Sequence, residues 1–142
     1  MRSRSFLLAF AFAAQLAHTA SANACGYCVE DKIASAYDHA VVTQALARHH
    51  HVVFFHIEGP LQQGAASKHW LEAALGSTPG VDKGSARIAL DTLTISVAFD
   101  PQRMSLIALQ NALDRKLAAR NLSLFPLRVI EKPSELKAIA PH

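Results

Sequence analysis

Both cysteines of the chain lie in Cys25-Gly26-Tyr27-Cys28. Two intervening residues let the sulfurs point at a single ion or bond to each other. At the head of a helix, unpaired amide N–H groups and the positive end of the dipole favour the thiolate. A thiolate is a nucleophile, and it is also a soft ligand for Cu(I) or Zn(II). Three chemistries follow: metal binding by Cys25 and Cys28, with histidines or a partner completing the shell; thiol–disulfide exchange; or a local disulfide that clamps the helix start. The spacing leaves all three open.

The chain also has eight histidines. His49-His50-His51 is the candidate metal-binding tract, and equally a cationic, polar helix end. His39 follows Cys28 by about three helical turns and shares its face, but the ~16 Å rise keeps the two from one ion. His56 within an apolar run and His69 before Trp70 read as packing or solvent-facing residues. Ser67, Ser77 and Ser85 lack an elbow motif and the acidic residues are scattered, so a hydrolase is not expected.

The segment ahead of the cysteines has the form of an export signal. Arg2 and Arg4 precede an apolar stretch from Phe6 to about Leu16, and Ala20-Ser21-Ala22 supplies a small-residue cleavage site. About 11 apolar residues fall short of the ~20 a spanning helix needs. Cleavage is expected after Ala22, or after Ala24, which makes Cys25 the first residue. The exported chain is periplasmic or secreted, with no membrane span. Of 14 Lys+Arg, losing two leaves 12 against 11 Asp+Glu, a net charge of +1. With no dense basic cluster, nucleic acid is not an expected partner.

The remaining elements must position these groups. An alanine-rich segment from Cys25 to about Arg48 reads as one helix of about five turns, with residues 23–50 as its unit. Val52-Val53-Phe54-Phe55-His56-Ile57 reads as a strand stopped by Gly59-Pro60. Ala65 to Leu75 is helical. Ile88 and Leu90, then Leu93, Ile95, Val97 and Phe99, alternate as two strands joined near Asp91-Thr92. Leu106, Leu109, Leu113 and Leu117 mark a helix, Leu127 to Ile130 a last strand, and residues 133–142 a polar tail. The order βαββαβ over residues 51–132 predicts an α+β, ferredoxin-like sandwich with an additional N-terminal helix. Val52 and Phe54 point away from the face that Val53, Phe55 and Ile57 line. The alanine-rich helix, or a second subunit in a homodimer, is expected to cover them.

From Val52 to Glu131 the chain resembles a heavy-metal-associated domain, the module of copper chaperones and metal-transporting ATPases. The carrying residues are Glu58-Gly59, Pro79-Gly80-Val81, the strand Thr94 to Phe99 with Asp100-Pro101, and the helix containing Leu109 and Leu113. The resemblance implies a metal-handling role, copper first, and a protein partner or metal transporter. It departs in one respect: the loop after the first strand, which carries the family's Cys-x-x-Cys, corresponds to Gly64-Ala65-Ala66-Ser67 and holds no cysteine. Separately, Cys-Gly-Tyr-Cys resembles the active site of periplasmic disulfide isomerases, whose fold feeds a core strand into the motif; only the leader precedes Cys25. The alternative function is therefore a thiol–disulfide redox or protein-interaction module with a structural disulfide and no metal.

Overall fold

The computed structural model describes residues 28–139. The segment expected to be an export leader, Cys25 and His142 lie outside the described residues. The predicted five-turn helix is two helices, α1 (Val29–Ser35) and α2 (His39–Ala47). Asp38 divides them. Its extended backbone and its side chain, accepting from the Val41 amide at 3.1 Å, make it the N-cap of α2. Its other carboxylate oxygen accepts from Arg87 Nε at 2.7 Å. The Ser96 hydroxyl meets the Ala36 carbonyl at the break, at 2.8 Å. The Val41 amide and the Ala36 carbonyl, both freed at the break, thus have partners, and two short helices lie flat on the sheet where one long rod could not. The Arg87 guanidinium, followed by the capped amide, holds the Asp38 carboxyl below its ordinary value. Burial, then the Asp38 charge, raises the neighbouring Tyr37 phenol.

The remaining elements follow the predicted order: β1 (His51–Glu58), α3 (Ala65–Gly76), β2 (Arg87–Ala89), β3 (Thr94–Phe99), α4 (Leu106–Leu117) and β4 (Ser123–Ile130). The strands form one antiparallel sheet in the order β2-β3-β1-β4, which is the ferredoxin-like arrangement. Gly59 ends β1 at φ 117°, where a Cβ would run into the Asn121 carbonyl, so the turn requires glycine. Ser105 caps α4 by accepting from the Ala108 amide at 3.2 Å.

Two cores flank the sheet. Val53, Phe55 and Ile57 meet Leu71 and Leu75 of α3 and Leu109, Leu113 and Leu117 of α4 on one face. On the other face Val52, Phe54, Ala98 and Ile130 pack against Ile33, Ala36, Val42, Ala45 and Leu46. Val52 and Phe54 are fully buried, so the chain's own N-terminal helices cover the second face, as their composition predicts. Two expectations at the C-terminal end need correction. The last strand begins at Ser123, four residues before Leu127, and carries Pro126 beside a register shift opposite Phe54/Phe55. Proline is tolerated there because β4 is an edge strand. The expected polar tail instead forms a 3₁₀ turn, Pro133–Ala138, and returns Leu136 and Ile139 to the second core.

Candidate functional site

Cys28 occupies the N-cap position of α1, with extended backbone and no side-chain capping bond. Its exposed thiol donates instead to Asp31 Oδ2, at 3.1 Å. A metal ion or a second sulfur joining Cys28 displaces that proton and leaves the Asp31 carboxylate, a hard oxygen donor, beside the sulfur. Nothing in the composition of the motif pointed to Asp31. The signal was its spacing, because residues three apart share a helix face.

The helix presenting Cys28 is pinned at four places. Ile33 is buried against the sheet. Glu30 forms a two-pronged ion pair with Arg128 of β4, at 3.0 and 2.5 Å. Lys32 Nζ lies 3.4 Å from His56 Nδ1 in β1, and Ser35 Oγ lies 2.6 Å from Thr92 Oγ1 at the β2–β3 turn. These contacts run α1 across the sheet from β4 to β3, placing Cys28 beside the β4 edge. That is the face opposite α3 and α4. In the loop joining β1 to α3, between Gly59 and Gly64, Leu61 packs on the first core and Gln63 donates to the Leu90 carbonyl.

The histidine tract does not converge. His49 takes a left-handed conformation, φ 60°, to end the α2 turn. His50 Nδ1 donates to Asp82 Oδ2 at 2.7 Å. His51 opens β1, its Nδ1 3.8 Å from Glu131 Oε1 and its ring edge-on to Phe99. Consecutive residues entering a strand point to opposite faces, which is why the His50 and His51 imidazoles acquire separate partners. His39 contacts Tyr37 and Thr43, and the break at Asp38 removes it from the helical face of Cys28. His56 is anchored to the Leu93 carbonyl at 3.0 Å, and His69 is exposed on α3. Among the described residues, no group of three or more His, Cys, Asp or Glu is placed to hold a metal together. No helix among them is long and apolar enough to cross a membrane.

No family model matches the chain, and no curated protein matches it. Solved structures do. A copper binding domain from HMA7, a P-type ATPase, is similar at 23% identity and TM-score 0.44, covering 56% of this chain and 96% of that one. Oxidized MerP from Ralstonia metallidurans CH34 is similar at 19% identity and TM-score 0.43, covering 56% and 99%. The N-terminal domain of a potential copper-translocating P-type ATPase from Bacillus subtilis, in the Cu(I)-loaded state, is similar at 23% identity and TM-score 0.44, covering 58% and 94%. The ferredoxin-like assignment stands on this chain's own element order and strand pairing.

Proposed function

We propose that this chain is an exported small protein that binds a soft metal ion, copper first and Zn(II) second, through Cys25 and Cys28, and hands it to a protein partner or metal transporter. The observation that carries the reading is the placement of Cys28. Its thiol is exposed, stands outside both cores, and is held by a helix fixed to the sheet. A thiol used only to brace the core has no reason to stand there. Two thiolates on such a platform bind Cu(I) tightly, while an open remainder of the coordination shell lets an incoming ligand take the ion. The proposed role is carriage rather than catalysis.

The test is Cu(I) titration of the chain without residues 1–22 against a chromophoric competitor, followed by sulfur-to-copper charge-transfer absorption. One Cu(I) per chain is expected, with affinity falling at least a hundredfold in Cys28→Ser. Unchanged affinity in Cys25→Ser/Cys28→Ser overturns the assignment. Efficient dithiol-dependent reduction of a protein disulfide, without copper binding, replaces it with redox exchange.

A further inference from the structure

At the end of the sheet where β1 starts and β3 finishes, a cavity of about 440 Å³ is lined in part by His50, Asp82, Asp100, Arg103 and Met104. Arg48 Nη2, at 3.1 Å, and His50 Nδ1, at 2.7 Å, both reach Asp82 Oδ2. With a carboxylate oxygen so placed, Nδ1 carries the shared proton, and Nε2 is the ring nitrogen left for a second partner. Nε2 faces Asp100 Oδ2, 3.9 Å away. Asp100's other oxygen already accepts from the Gln102 amide, at 2.9 Å. A ring nitrogen and a carboxylate oxygen therefore face each other across a gap too wide for a hydrogen bond.

A proton on Nε2 fills such a gap poorly, because charge-assisted N–H···O bonds close to about 2.7–2.9 Å. A divalent ion fits better. Ligand bonds of about 2.0–2.2 Å let one ion bridge donors up to roughly 4 Å apart, and a tetrahedral angle needs only about half an ångström of closure. Asp82 behind Nδ1 is the outer-shell carboxylate that orients a ligating imidazole.

The geometry points to a second metal site, separate from Cys25 and Cys28: a divalent transition-metal ion bound by His50 Nε2 and Asp100 Oδ2, oriented by Asp82, with water completing its shell. Imidazole with carboxylate selects a borderline ion such as Zn(II) or Cu(II) over the soft Cu(I) proposed for the thiols. The Arg103 guanidinium on the cavity wall makes no ion pair with a described residue, and its charge weakens this site. Only two protein donors reach the ion, which makes it an exchangeable one.

Zn(II) alone is the probe, titrated into a Cys25→Ser/Cys28→Ser chain by calorimetry while imidazole ¹⁵N shifts are followed by NMR. The paired serines remove the thiols, so the outcome is independent of copper binding. One Zn(II) per chain is expected, with the shift confined to His50 Nε2. Asp100→Asn, which keeps an oxygen for the Gln102 amide, is expected to weaken binding at least tenfold. Asp82→Asn weakens it by about the tenfold seen for outer-shell carboxylates, and Arg103→Gln tightens it. Melting curves verify that each variant is folded. Three results overturn the site: no Zn(II) binding, equal loss in His49→Gln and His50→Gln, or a retained Nε2–H at neutral pH that Zn(II) does not displace.

Discussion

Replacing Phe54 by alanine tests whether the second core is a true interior. Phe54 and Phe55 are adjacent in β1 and point to opposite faces, and both are fully buried. Phe55 sits in the core any ferredoxin-like sheet has, against α3 and α4. Phe54 is buried only because α1, α2 and the C-terminal turn cover it. Truncating a fully buried phenylalanine costs about 3–5 kcal/mol, from lost transfer energy and the cavity left behind. In a domain slightly above 100 residues, where 1 kcal/mol moves the midpoint by about 4 °C, that is a fall in Tm of about 12–20 °C. The same truncation on an open face would cost well under half as much, since the side chain would already be partly hydrated. The assay is thermal unfolding of Phe54→Ala and Phe55→Ala side by side, followed by circular dichroism. The reasoning predicts comparable losses. A large fall for Phe55→Ala with a shift of only a few degrees for Phe54→Ala would refute it, because α1 and α2 would then contribute no packing and the platform for Cys28 would disappear with them.

Other outcomes follow from single contacts. Asp38→Ala should cost about 1 kcal/mol at neutral pH through the lost cap on α2. Because the folded-state carboxyl is held below its ordinary value of 3.8, the advantage of Asp38 over Asp38→Asn is complete above that value. It should vanish as pH falls through the lowered one, as urea melts at stepped pH would record. Gly59→Ala should cost more than about 1 kcal/mol, since the new Cβ meets the Asn121 carbonyl at positive φ; equilibrium unfolding measures it. Glu30→Gln should change global stability by less than about 1 kcal/mol, the pair with Arg128 being largely exposed, yet speed proteolysis near α1.

The sheet was legible in the sequence because its signals are local and redundant. Alternation in Thr94 to Phe99, the leucine ladder of α4 and the glycine after β1 each state one thing. The cover on the second face was also legible, through the apolar residues on both sides of β1. What escaped depends on contacts distant in sequence. Asp38 breaks the leading helix because Arg87 and Ser96, 49 and 60 residues away from their partners, wait at the break. The start of β4 was hidden by Pro126, which argues against a strand until its edge position is known. His50 meets Asp100 through the β1–β3 register and Asp82 through the bridge of Val81 to Phe99, neither of which composition can reveal. The tract of three histidines offered a pattern that the alternation of an entering strand then dispersed.

Whether Cys25 and Cys28 serve the fold or a ligand can be decided by the stability of the reduced chain. Closing a four-residue loop removes about 6 cal/mol/K from the unfolded ensemble in the chain-entropy model, or about 2 kcal/mol at 25 °C. A structural clamp should deliver most of that, so reduction should lower Tm by roughly 8 °C on the scale used above. The metal-carrying reading predicts much less. Cys28 contributes nothing to either core, and α1 is held by Ile33 and by the Glu30, Lys32 and Ser35 contacts downstream of it. Melting the chain with and without a thiol-free phosphine reductant, both in the presence of a strong chelator, isolates the covalent effect from any bound ion. A fall of about 8 °C would make the pair a brace for α1 and sink its assignment as a copper ligand. A change of one or two degrees, with Cu(I) then restoring or exceeding the oxidised midpoint, would mean that the thiols stabilise the protein only through what they bind.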